Sequence, residues 1–203
     1  MNVSEEDRER ISTAIRAVEK TTSGEIVCVL AQSSSDVTAL PILVAAAVAL
    51  ALPWLLVALT AMSVHRILVL QIFVFVVLAV VLCLPRARVA LVSRATRRAV
   101  AHRAAMEQFT IRGIARKKDR TGILIFVSFA EHYARIIADE GISGRVPQSE
   151  WQGAIDVLVA HMRGGRIADG FTAAIDVCGK VLATHFPRTE TSRDELPDRI
   201  YLI

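Results

Sequence analysis

From Leu40 to Leu84 the chain is almost uninterruptedly apolar, with Arg66 its one formal charge and His65 beside it. A bilayer core of ~30 Å takes ~20 apolar residues per helix. Leu40–Met62 and Ile67–Leu84 therefore read as two spans joined by a tight turn at Ser63-Val64-His65-Arg66. Pro41 suits a helix start, whereas Pro53 falls inside the first span, where a kink is expected.

The flanking segments carry shorter patterns. Ser4-Glu5-Glu6-Asp7 resembles a capping box, and Ile11, Ala14, Ile15 and Val18 recur at helical spacing, predicting an amphipathic helix from Glu5 to Lys20. Glu25–Ala31 is a short β-branched run, predicting a buried strand closed by Ser33-Ser34-Ser35-Asp36. After the spans, Arg86 to Phe109 predicts a long helix. Arg86, Arg94, Arg97 and Arg98 share one face, and Val89, Val92, Ala95, Ala99, Val100 and Met106 form the apolar one. Thr121–Phe129 and Tyr133–Asp139 predict a β-hairpin turning at Ala130-Glu131-His132. Alternation around Arg135 marks the second strand as an edge. Ser149-x-x-Gln152 reads as the cap of a helix carrying Trp151, Ile155, Leu158 and Met162, broken at Gly164-Gly165. A last helix carries Phe171, Ile175, Cys178 and Leu182, and Ile200–Ile203 ends an acidic tail with an apolar segment that can dock on the domain.

A hydrophobic content of 53% in 203 residues reflects the two spans. Charge is polarised. Between Arg86 and Arg120, eleven Lys/Arg face only Glu107 and Asp119, a net +9 in a chain of +4, so the remainder carries −5. The basic residues follow the second span, and the positive-inside rule then places both termini in the cytoplasm. The expected location is the inner (cytoplasmic) membrane, as a multi-pass protein. The apolar run does not begin near the N-terminus, so it does not read as a signal peptide. Cys28, Cys83 and Cys178 lie in no CxxC or metal spacing and read as small buried residues in a reduced compartment. Arg116-Lys117-Lys118 lacks interleaved aromatics, so no nucleic-acid partner is expected.

Neither flank has enough apolar surface for its own core, so the strands on both sides of the spans must share a sheet. The predicted fold class is α/β: a small mixed sheet with flanking helices, interrupted by a transmembrane helical hairpin. Its first two strands are parallel and its third antiparallel. The predicted division is 1–39 and 85–188 as two parts of one α/β domain, 40–84 as the hairpin and 189–203 as a tail.

In that order, "TTSGEIVCVLAQSSSD", "QFTIRGIARKKDRTGILIFVSFAEHYARIIADEGI" and "GGRIADGFTAAIDVCGKVLATHFP" resemble the TPM domain family. The resemblance implies a TPM-like α/β fold. It also implies phosphatase-like or divalent-metal-binding behaviour in some members and accessory roles for membrane complexes in others. It carries over no catalytic residue.

The residues themselves offer no P-loop, GxSxG, HExxH or dinucleotide fingerprint. Parallel pairing of the first two strands would bring Ser33–Asp36 near the hairpin turn. Asp36, Glu131 and His132 then form one oxygen-rich candidate for Ca²⁺ or Mg²⁺, or else a cap and a solvated turn. Glu25, Asp139 and Glu140 form the alternative candidate at the opposite strand ends, or else exposed ends with Gly141 in a left-handed turn. Arg86, Arg94, Arg97 and Arg98 are the expected lipid-headgroup contacts. The function expected is a non-enzymatic binding or assembly factor for a membrane-protein partner or for self-association. The alternative is a metal-dependent phosphohydrolase.

Overall fold

The computed structural model describes residues 3–33, 39–60, 62–84, 93–189 and 195–203. They fall into two units: Met1–Ser34 with Ala99–Ile203, and Ser35–Arg98. Residues before and after the hairpin therefore belong to one unit.

In the hairpin unit, α2 (Ala39–Leu59) continues through Pro53 and is followed by α3 (Val64–Cys83). The connecting turn is shifted from the predicted one. Ser63 is the N-cap of α3, and His65 and Arg66 belong to its first helical turn. Ala45 and Ala49 on α2 and Ile67 on α3 are buried, whereas most other apolar side chains face outward, Trp54 at 80% exposure. Alanines four residues apart allow close backbone approach. Within the two most apolar stretches, Ile42–Leu59 and Val64–Leu82, only 11% and 6% of residues are buried. A soluble core helix would be mostly covered. Both helices are long and apolar enough to cross a membrane.

The other unit is built on a four-stranded sheet in the order β3-β2-β1-β4. Strand β1 (Glu25–Ala31) pairs in parallel with β2 (Gly122–Ser128), in register from Glu25 opposite Gly122 to Ala31 opposite Ser128. Strand β3 (Tyr133–Ala138) returns antiparallel to β2. The tail supplies a fourth strand, β4 (Ile200–Leu202), parallel to β1. Every residue of β1 and β2 is buried, because both sheet faces are covered. On one face Ile26, Cys28, Ile123 and Ile125 meet α1 (Glu5–Glu19), α5 (Gln152–Arg163) and α6 (Ile167–His185). The opposite face, with Val27, Val29, Leu124 and Phe126, is covered by α4 (Arg94–Ile111) and the tail.

Local signals account for several boundaries. Ser4 caps α1 by accepting from the Asp7 N–H at 3.0 Å, and Ile11 and Ile15 are fully buried. Gly165 ends α5 at φ 73°. Three expectations fail. The buried side of α4 is Ala101, Ala105 and Phe109, whereas Met106 is exposed and Ala95 and Ala99 face outward. Small residues seat this helix on the sheet, a choice that hydrophobic scale values do not reveal; Val89 and Val92 lie outside the described residues. Ser149 caps nothing: it lies in a 3₁₀ turn, Gln148–Trp151, and α5 starts after Trp151 without a side-chain cap. Gly141 is not left-handed. It sits in a single helical turn, Glu140–Ser143, capped by Asp139.

Candidate functional site

The carboxyl ends of β1 and β2 come together, as parallel pairing requires, and the Glu131 side chain packs there. It is 7% exposed, accepts a hydrogen bond from Ser33 Oγ at 3.2 Å and a very short one from Ser128 Oγ. The backbone reinforces the junction: Phe129 and Ala130 donate to the carbonyls of Ala31 and Gln32 at 3.0 and 3.2 Å. His132 turns the chain at φ 49°, a region that L-residues other than Asn, Asp and His seldom enter. The structure thus places Ser33 beside Glu131, as the sequence predicts. Asp36, the third member of that candidate set, lies outside the described residues.

A recess of about 430 Å³ opens beside this turn, between the β2–β3 hairpin and α5. Val127, Phe129, Val159 and Met162 supply apolar wall, while Ser128, His132 and Arg163 supply the polar lining. Its volume lies within the ~300–1,000 Å³ of ligand pockets. It lies at the carboxyl end of β2, along its antiparallel pairing with β3. The Arg163 side chain makes no hydrogen bond or ion pair among the described residues. Arg163 was not singled out in the sequence, because a basic residue at a helix C-terminus is ordinary there.

At the opposite strand ends the second candidate set is divided between two cations. Glu25 is held by Lys117 Nζ at 2.7 Å and by the backbone N–H groups of Glu195 and Leu196 at 3.0 and 2.7 Å. Asp139 and Glu140 are gathered by one guanidinium: Arg120 Nε lies 3.0 Å from Asp139 Oδ1 and its NH2 group 3.0 Å from Glu140 Oε2. Asp139 Oδ1 also accepts from the Glu140 N–H at 2.7 Å. Among the described residues no three Asp, Glu, His or Cys side chains group with metal-holding geometry. These carboxylates have the geometry of internal ion pairs and caps. Lys117, buried within a run that reads as solvated charge, is the partner that sequence reasoning missed.

Of the expected headgroup contacts, Arg94, Arg97 and Arg98 open α4, with Arg94 and Arg98 exposed and Arg97 half-buried; Arg86 lies outside the described residues. Cys28 and Cys178 are buried free thiols. Burial pushes the Cys28 thiol well up, with Cys178 and Glu19 adding to the effect, and pushes Cys178 up to about 12.

The interrupted mixed sheet, with helices on both faces and a hairpin that turns beside the carboxyl end of β1, has a TPM-like α/β fold. Residues 85–181 match the family model described as the TPM domain. The match takes in β2, β3, α5 and most of α6, while β1 and β4, which flank each other in the same sheet, fall outside it. Comparison with curated proteins yields no match. Among solved structures the chain is similar to the NMR structure of the BA42 protein from the psychrophilic bacterium Bizionia argentinensis. The TM-score is 0.63 at 20% identity, covering 100% of this chain and 96% of that one. At that identity the likeness bears on the fold alone.

Proposed function

We propose that this chain is a membrane-anchored TPM-domain protein. Its α/β unit acts as a non-enzymatic binding or assembly module for another membrane component, with both termini in the cytoplasm. The observation that carries this reading is how the polar groups are used. Glu25, Glu131, Asp139 and Glu140 are engaged by Lys117, Ser33, Ser128 and Arg120, whereas the recess beside Glu131 presents an Arg163 side chain without a partner among the described residues. Hydrolysis assisted by a hard cation needs carboxylate oxygens turned to the cation. A binding module needs a shaped recess and free donors. The outward-facing hairpin helices and the basic start of α4 support the anchoring.

The test is crosslinking in native membranes followed by purification of the full chain. A partner protein, or a stoichiometric second copy, is the expected product. Recovery of the lone chain, together with hydrolysis of a generic phosphomonoester that falls on Glu131→Gln or Asp139→Asn, would favour the phosphohydrolase reading instead.

A further inference from the structure

We infer that the recess at the end of β2 binds a small single-chain amphiphile bearing an anionic head, a carboxylate or a phosphate monoester. This rests on reading the α/β unit as a binding module and names the ligand class of that site. The walls are chemically divided. Val127, Phe129, Val159 and Met162 give a surface that an apolar chain can cover, and Arg163 and His132 stand among the same lining residues with donors for a head group. A guanidinium recognises a carboxylate or phosphate through paired N–H donors. Glu131, the nearest buried carboxylate in the hairpin turn, does not line the recess; its oxygens accept from Ser33 and Ser128. An entering anion therefore meets the Arg163 guanidinium and the His132 ring rather than that carboxylate. The same recess offers an apolar cation no comparable partner.

Met162 is a natural reporter, one of four methionines in the chain. The full chain, methyl-labelled at methionine and held in nanodiscs of zwitterionic lipid, is titrated with octanoate and with octyl phosphate; 1-octanol and inorganic phosphate are controls. The Met162 signal is assigned by its loss in Met162→Leu. It is expected to shift saturably with one or both anionic amphiphiles, and whichever acts identifies the head group. Arg163→Gln should weaken binding about tenfold or more, the usual effect of losing a charge-assisted hydrogen bond. Val159→Trp should block it while leaving the Met106 signal in place. A Met162 signal that does not respond, one that responds equally to octanol, or binding unchanged in Arg163→Gln overturns the inference and leaves the binding-module reading standing. Conversion of bound octyl phosphate and water to octanol and inorganic phosphate, followed by ³¹P NMR, overturns the non-enzymatic reading. It supports the recess as the site of the amphiphile.

Discussion

Lys117 sets its ammonium 2.7 Å from the Glu25 carboxylate, and the two side chains are only 2% and 4% exposed. The lysine also donates to the Ser23 carbonyl at 2.8 Å, so it ties the start of β1 to the segment that leads into β2. Removing one member leaves a charge buried without its counter-ion, which typically costs about 3–5 kcal/mol. Lys117→Met is expected to destabilise the α/β unit by that amount, read by urea unfolding through the buried Trp151 in a Trp54→Phe background. Adding Glu25→Gln should recover part of the loss. A double variant as unstable as the sum of the singles would show that the two groups act separately.

Gly141 is required for close approach. A Cβ there would lie 2.5 Å from the Arg120 carbonyl oxygen and 2.8 Å from that of Asp119, both backbone atoms. Gly141→Ala is expected to cost about 1–3 kcal/mol, as overpacking does. It should also displace Arg120 from Asp139 and Glu140. Equal stability of Gly141→Ala and wild type in the same unfolding measurement would refute the contact.

The tail is part of the sheet. Ile200 is 6% exposed, β4 pairs with β1, and the Glu195 and Leu196 N–H groups serve Glu25. Deleting residues 195–203 removes one buried isoleucine and two hydrogen bonds to a buried carboxylate. The expected loss is about 2–4 kcal/mol. A truncated chain with an unchanged urea midpoint would mean that β4 contributes nothing to stability.

Alkaline pH should loosen the unit through Cys178. Its thiol, pushed up by burial to about 12, keeps its proton in the folded state, while the unfolded chain releases it above the ordinary value of 9.0. The unfolded state then binds fewer protons, so stability falls as pH rises from about 9 to 12, by ~1.4 kcal/mol per unit for one such group. Cys178→Ala should flatten that slope. At pH 8 neither Cys28 nor Cys178 should react with a maleimide until denaturant is added, as mass spectrometry would read.

The elements that the sequence reveals are those with long or strongly patterned apolar runs: the hairpin helices, α1, β1 and β2. Their pairing followed from the lack of a core in either flank, and it correctly set Ser33 next to Glu131. What stayed hidden depends on tertiary partners. Ile200–Leu202 is too short to show a period, and only its place beside β1 makes it a strand. The alanines of α4 outrank Met106 because the sheet surface accepts a close helix, which no single-residue scale encodes. Lys117 reads like Arg116 and Lys118 until the fold buries it against Glu25. The approach of Ser33 to Glu131 was therefore legible, but the ion pairs and the recess with Arg163 were not.

Neighbouring strands β1 and β2 are separated by residues 32–121, ninety positions that include the whole hairpin. A ribosome working at about 5–20 residues per second finishes Ser128 on the order of 5–20 s after Ala31. For that interval a seven-residue strand made to be covered on both faces waits without a partner. Synthesis of the hairpin thus comes before sheet closure in time, and a pause within it leaves β1 to chaperones or to a neighbouring nascent chain.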